Sequence, residues 1–372
     1  MNDKPNIILV LLDGARFDRL HISDKFSELT NKGFLLNNVT SAIPYTIGAL
    51  NVIFTGLYGK ENGVDAYYKM FKLKTNIEYL PEILQKNGYY TSCKLISKKI
   101  LLPRGFDIHS QYNEYKIDPN NDHPKFLENM FQNANRKPLF AFLQFSKIHT
   151  ATTNILKKYD WDNKLFYENK KNNLKSYDKS FFEAGNYADL IYAKLKEMKK
   201  IKNTIIVFFS DHGTGIGERF GERNYGSFTY EETIRTFYLF LGLNIKKKSS
   251  SNNLLSTINF FPTILQLCDI NFQQKTCGKS FAKLLEGKKY HISDKFTFSE
   301  TGALEGPYPS PKKPNVFCIK SKNYKLIYLQ TPNEWRFYNL KNDPNEEKNL
   351  HYKNLDTEKK FKKKLLDWIN RK

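Results

Sequence analysis

The sequence predicts an α/β fold: a central, mostly parallel sheet flanked by helices, followed by a small antiparallel subdomain. Three observations carry that prediction. The runs Asn6–Leu12 and Ile205–Phe209 are apolar without alternation, as in strands covered on both faces. The stretch Ala184–Met198 places Ala188, Ile191, Leu195 and Met198 on one helical face and leads directly into the second of those strands, which makes an α/β unit. From about Gly287 the pattern changes to short runs separated by turn residues, as in antiparallel strands. The expected division is a body at residues 1–286 and an α+β subdomain at 287–372.

Length and composition bound the reading. A chain of 372 residues with 40% apolar residues, 29 Phe and 23 Tyr can bury a sizeable core, and such a composition argues against disorder. A formal net charge of +21 raises nucleic acid, an anionic membrane or an anionic substrate as partners. Lys far outnumbers Arg, so much of this charge belongs to solvated faces. No zinc-finger spacing or RNP-like aromatic motif accompanies it, so no nucleic-acid partner is expected. Cys93, Cys268, Cys277 and Cys318 form no C-x-x-C pair, and Cys93 and Cys268 read as buried thiols. That pattern fits a reducing compartment. No leader-like or membrane-length apolar run is present. The expectation is a soluble, cytoplasmic protein, with its basic ends offering peripheral contact with an anionic membrane.

In chain order, the first strand ends at Asp13-Gly14 and the later one at Ser210-Asp211-His212-Gly213. Ligands of open α/β sheets bind outside the carboxyl ends of the strands. Asp and His together suit Zn or Mn, so two distant segments would build one metal site. Phe26, Leu29 and Phe34 read as one amphipathic stretch capped at Gly33. Pro44 forces an extended approach, and Thr46 opens an apolar helix that ends near Gly56. A hydroxyl at a helix N-terminus is either an ordinary N-cap or a nucleophile steadied by a metal and by the helix N–H groups. The polar stretch from Gly105 to Leu139 reads as an irregular excursion over the active face. Pro138–Phe145 reads as another buried strand, ending in Ser146-Lys147-Ile148-His149.

Residues 154–180 read as a solvated insertion or lid. Glu231, Glu232 and Arg235 read as structural charges at a strand start, and Leu254–Leu267 as a helix broken near Pro262. Glu300-Thr301-Gly302 and the Pro307–Pro314 loop are expected to border the site. The tail from Asp356 reads as a basic amphipathic helix that docks on the body through Phe361, Leu365 and Trp368.

Several of these segments fall into one register. Asn6–Leu20, Thr46–Val64, Tyr79–Thr91 with Gly105-Phe106-Asp107, Ser210–Gly213, and Trp335–Pro344 closing with Asn349-Leu350 together resemble the sulfatase family of the alkaline phosphatase superfamily. The resemblance implies an alkaline phosphatase/sulfatase-like fold. It places Asp13 at the first metal-ligand aspartate and Asp211 and His212 at the second pair of ligands. Thr46 falls at the nucleophile, His149 at a substrate-contacting histidine, and Lys147 beside it as a cation for an anionic substrate. In sulfatases the nucleophile is a Cys or Ser converted to formylglycine within C-x-P-x-R. Here Gly48 stands at the Pro and Leu50 at the Arg. Thr at this place resembles the phosphodiesterase and phosphotransferase branches of the superfamily. Gly14 replaces the second aspartate of the usual pair, Tyr225 a common His, and Asn259 a common Asp.

These departures imply a single divalent metal held by Asp13, Thr46, Asp211 and His212. Zn or Mn comes first and Mg or Ca follows, with Glu218 or Glu222 as the alternative source of ligands for a second ion. Thr46 and His149 are the expected catalytic residues, and His149 and Lys147 the expected substrate contacts. The expected activity is metal-dependent cleavage of a phosphoester, a phosphodiester foremost, through a covalent intermediate on Thr46. The substrate would be an anionic small molecule, glycan or lipid ester. The alternatives are a sulfuric ester hydrolase, a transferase moving a phospho-alcohol onto a surface glycan or lipid, and a non-catalytic anion-binding member.

Overall fold

The computed structural model describes residues 4–151, 160–290, 295–353 and 355–371. Nine strands form the main sheet: β1 (Asn6–Leu12), β2 (Phe34–Thr40), β3 (Tyr90–Leu95), β4 (Ile108–Gln111), β5 (Leu139–Phe145), β6 (Thr204–Phe209), β7 (Arg235–Gly242), β8 (Ser249–Ser251) and β9 (Leu255–Ser256). Their order is β4-β3-β5-β1-β6-β7-β2-β8, with β9 beside β2. β1 lies between β5 and β6, parallel to both. Every residue of β5 and β6 is buried, which is why those runs carry no polar alternation. Among the described strands of this sheet only β7 runs antiparallel to its neighbours, β6 and β2.

Two apolar layers cover the sheet. One packs Leu50, Ile53 and Phe54 of the Thr46–Thr55 helix and Phe260, Phe261 and Ile264 of a later helix against Ile7, Leu9 and Leu11. The other packs Tyr177, Phe181, Ala184, Ala188 and Ile191 of the long Lys170–Glu197 helix against Ile8, Val10 and Leu12. The alternate residues of β1 thus serve opposite layers. β1, β5 and β6 run parallel, so they deliver Asp13, Ser146 and Ser210 to the same edge.

A second sheet, β10 (Thr297–Thr301), β11 (Val316–Lys320), β12 (Tyr324–Leu329) and β13 (Glu334–Asn339), is an antiparallel meander. The Asp356–Ile369 helix buries Phe361, Leu365 and Trp368 against it. Trp368 stacks on Phe298 at 4.9 Å. A buried charge network joins this sheet to the body. Lys325 Nζ lies 2.8 Å from Glu346 and 3.2 Å from Glu231, and Lys320 Nζ lies 2.7 Å from Glu231. Glu231, Glu232 and Arg235 are indeed structural charges: Glu232 pairs with Arg219, and Arg235 binds the carbonyl of Asn37 and covers Phe17.

Four local expectations are corrected. Phe34 is no part of a helix: the helix spans Asp24–Thr30, and Phe34 opens β2. Gly33 does not cap the helix but lets the chain pass β7, because a Cβ there would lie 2.2 Å from the carbonyl of Phe240. The polar excursion after Gly105 contains edge strand β4 and a fifteen-residue helix, Pro119–Asn133, capped by the Asp118 carboxylate. Pro262 breaks nothing. The helix there is Phe260–Leu267, and Pro262 sits in its first turn, where a missing N–H costs little. Of the 154–180 insertion, residues 160–180 are described and are largely helical, while 154–159 lie outside the described residues. No helix among the described residues is long and apolar enough to cross a membrane.

Candidate active site

The carboxyl ends of β1, β5 and β6 and the start of the Thr46–Thr55 helix converge on one buried cluster. Asp13 follows β1. Its Oδ2 accepts a 2.7 Å hydrogen bond from Gln144 Nε2 of β5. Its Oδ1 is turned toward Thr46 Oγ1, at 3.3 Å. Thr46 Oγ1 also lies 3.2 Å from His212 Nε2. His212 Nδ1 meets the Gly213 carbonyl at 2.7 Å. A carbonyl only accepts, so Nδ1 carries a proton, and Nε2 faces the cluster. Asp211 Oδ1 accepts from the backbone N–H of His212 at 3.0 Å and of Gly14 at 3.5 Å. His149 reaches the cluster from the loop after β5, with Nε2 3.9 Å from Asp13 Oδ1.

The backbone explains why these groups meet. Thr46 stands at the first position of its helix after an extended Tyr45, so its N–H and the next two project from the helix end unpaired within the helix. Gly48 is confined by the Tyr45 ring, which a Cβ would approach to 2.7 Å. Gly14 turns with φ +74°, a conformation glycine adopts without strain. Its carbonyl accepts from Tyr177 Oη at 2.9 Å and Thr214 Oγ1 at 2.8 Å, and that pins the Asp13 turn to the long helix and to the Asp211 loop.

The donor set fits a cation. Asp13, His149 and His212 each present a ligand atom, and these atoms lie within 4.8 Å of one another. Asp211 Oδ2 is buried without a hydrogen-bond partner among the described residues, a lone pair that a cation would satisfy. Burial raises the Asp13 carboxyl to about 7, and the neighbouring Asp211 charge adds to that. Burial likewise raises Asp211 to about 7. Two buried carboxyls and two imidazoles make a group that could hold a divalent metal ion.

Of the residues singled out in the sequence, Asp13, Thr46, His149, Asp211 and His212 are brought together. Lys147 is not: among the described residues its ion pair is with Asp118, at 3.4 Å, the cap of the Pro119–Asn133 helix. Glu218 and Glu222 are committed elsewhere. Glu218 pairs with Arg16 at 2.6 Å and accepts from the Ile216 N–H. Glu222 accepts from the N–H groups of Ser227 and Phe228. Neither belongs to the clustered ligand group. Two neighbours were missed in the sequence. Gln144 is the one polar side chain in the apolar run Leu139–Phe145, and that intrusion was its signal. Tyr225, noted only as a replacement, lays its ring 4.4 Å from that of His212 and 4.9 Å from that of His149. It also lines a small cavity with Tyr67, Gly226, Ser227, Ala303, Leu304 and Glu305.

Comparison with known proteins places this architecture. The family described as Sulfatase matches residues 5–270, and that described as N-sulphoglucosamine sulphohydrolase, C-terminal, matches residues 221–371. A delta 4,5-hexuronate-2-O-sulfatase of Bacteroides thetaiotaomicron is 30% identical over 152 residues, 40% of this chain and 31% of that protein. An arylsulfatase of Clostridium perfringens is 22% identical over 93% of this chain and 90% of its own length. Four of the curated relatives are matched over only 27–31% of their length. Among solved structures, a 2-O GAG sulfatase superposes with a TM-score of 0.78 at 19% identity, covering 99% of this chain and 92% of that one. A phosphonate monoester hydrolase of Agrobacterium radiobacter superposes with a TM-score of 0.73 at 15% identity, covering 98% and 95%. With a matched family spanning most of its length and the fold that its relatives share, this chain belongs to the sulfatase family of the alkaline phosphatase superfamily.

Proposed function

We propose that the chain hydrolyses sulfate esters of a glycan, with Thr46 as the nucleophile. The observation that carries this reading is the place of Thr46 Oγ1, at a helix start, 3.3 Å from Asp13 Oδ1 and 3.2 Å from His212 Nε2. Kinship supports the rest: relatives include a hexuronate-2-O-sulfatase, an N-acetylglucosamine-6-O-sulfatase and an ulvan-active sulfatase. The residues alone ranked phosphorus first, and the relatives reverse that order.

Asp13, Asp211 and His212, with the Thr46 hydroxyl, would hold a divalent metal, with His149 close enough to join them. Imidazole ligands suit Zn or Mn, and carboxylates serve Ca or Mg. When bound, the ion lowers the pKa of an attached hydroxyl and neutralises charge on an ester oxygen. Asp13 and His212 orient the Thr46 oxygen toward sulfur. Attack forms the Thr46 oxygen–sulfur bond and breaks the bond from sulfur to the glycan oxygen, and the hydroxyl proton leaves with the glycan alcohol. The projecting N–H groups at the helix start and the His149 ring face the charge that gathers on the transferred group. Water then cleaves the Thr46 ester, which restores the hydroxyl and releases sulfate.

A specific observation favours a second reading, a phosphoester substrate. Threonine carries a single hydroxyl, so its ester cannot expel the anion by collapsing to an aldehyde, as a formylglycine hydrate can. Gly48 and Leu50 stand where the maturation motif has Pro and Arg. Release must then come from attack by water, or by an acceptor alcohol in a transferase, and that chemistry is equally open to a phosphoryl group. A phosphonate monoester hydrolase shares the fold.

The test is turnover of an aryl sulfate, a sulfated disaccharide, an aryl phosphate and an aryl phosphodiester with Zn, Mn, Ca or chelator. Metal-dependent release of sulfate supports the first reading, and turnover confined to the phosphate esters establishes the second. Silence on all four with a metal bound at stoichiometry would overturn both.

A further inference from the structure

We infer that Trp161, Tyr167 and Phe220 form an aromatic platform at the rim of the active site, on which a pyranose ring of the glycan substrate stacks beyond the scissile ester. This rests on the proposed action on a glycan. Phe220 is the central ring: Tyr167 lies 5.1 Å from it, tilted by 49°, and Trp161 lies 6.1 Å from it, edge-on at 70°, so the sugar face settles on Phe220 with the other two rings flanking it. Phe220 is 58% exposed, and neighbouring Leu165 is 66% exposed. Trp161 and Tyr167 are half-buried beside them, so the open face is that of Phe220 and Leu165 backed by two further rings, and a clustered apolar face of this kind suits a ligand.

The platform is held in place. Tyr167 Oη donates to the Trp161 carbonyl and accepts from the Gly221 N–H at 3.1 Å. Arg223, buried beneath, donates to the Asp160 carbonyl at 3.1 Å and covers Phe166 at 4.7 Å. These links tie the segment before the Lys170–Glu197 helix to the loop that carries Phe220. Fixed rings lose little freedom when a sugar face settles on them.

Its position follows from the chain. The loop leaves the cluster at His212 and returns to it at Tyr225, whose ring lies 4.4 Å from that of His212. Phe220 is five residues from Tyr225, which bounds their separation at about 18 Å for fully extended chain. Gly221, next to Phe220, packs against Pro307, so closely that a Cβ would lie 2.3 Å from its Cγ. The loop leading to Pro307 also lines the small cavity beside Tyr225. In this proposal an oligosaccharide with its ester at Thr46 extends along this loop toward the platform. Exposed Lys164, Lys170 and Lys171 on the same segment suit an anionic sugar chain.

The experiment is a fluorescence titration of the metal-free protein with a chondroitin sulfate tetrasaccharide, tripolyphosphate and phosphatidylglycerol vesicles. The proteins compared are the native chain, Phe220→Ala, Trp161→Phe and Thr46→Ala. The expected result is a saturable change with the tetrasaccharide, absent in Trp161→Phe and about tenfold weaker in Phe220→Ala. It should persist in Thr46→Ala, which separates the platform from the esterase reading, and tripolyphosphate should not reproduce it. Equal affinity in Phe220→Ala, no response to the tetrasaccharide, or a response only to vesicles would each overturn the proposal.

Discussion

Gln144 Nε2 donates a 2.7 Å hydrogen bond to Asp13 Oδ2 across the paired strands β5 and β1. The bond occupies one carboxylate oxygen and leaves Oδ1 facing Thr46, His149 and His212. A partner that orients a metal ligand in this way commonly sets affinity by 10- to 100-fold. Gln144→Met keeps the shape and removes the donor. Calorimetric titration with Zn or Mn should show affinity about 10- to 100-fold weaker, with stoichiometry unchanged.

Lys325 is buried between Glu346 and Glu231 at the junction of the two sheets. Removing one partner of a buried ion pair leaves an uncompensated charge. Lys325→Met should destabilise the protein by about 3–5 kcal/mol in urea unfolding. Adding Glu346→Leu should recover part of that loss. A single variant as stable as the native chain would show that the network does not hold the sheets together.

Glu300 gives the pH dependence a sign. It is buried, and desolvation raises its carboxyl to about 8, with Arg371 opposing. Between the ordinary carboxylate range and pH 8 the folded chain keeps a proton that the unfolded chain has lost. The unfolded state therefore gains on the folded one as pH rises through that window, and the contribution of Glu300 to stability falls. Glu300→Gln removes the titration. Relative to the native chain it should gain about 2–4 kcal/mol between pH 5 and pH 8, read from denaturant midpoints at the two pH values. An equal offset at both would contradict the assignment.

The sequence carried the fold where burial was two-sided. β1, β5 and β6 are read correctly because an apolar run of that length, with no polar position to meet water, suits a strand covered on both faces. β2 was hidden because it alternates buried and half-buried residues through Asn37 and Asn38, so Phe34 was attached to the preceding helix. The Pro119–Asn133 helix was hidden by its own start: Asp118, Pro119, Asn120 and Asn121 look like a loop but are cap and first turn. At the site, strand ends pointed to Asp13, Asp211 and His212, whereas Thr46 and His149 were singled out by the register of the family resemblance, because a hydroxyl at a helix start is by itself an ordinary N-cap. Lys147 was misread because a lysine beside a site says nothing about its direction, and here it turns to Asp118. Gln144 and the ring contacts of Tyr225 depend on strand register and on a loop's return, which local pattern does not encode.

In the proposed function the Thr46 oxygen makes the attack. Its most direct test is acid quench of a single turnover, with the metal-loaded protein mixed with excess sulfated or phosphorylated ester and the labelled peptide mapped. The transferred group is expected on Thr46, with steady-state turnover in Thr46→Ala reduced by about a thousandfold or more, equivalent to roughly 4 kcal/mol of barrier. Turnover that survives Thr46→Ala with no group found on Thr46 would contradict it.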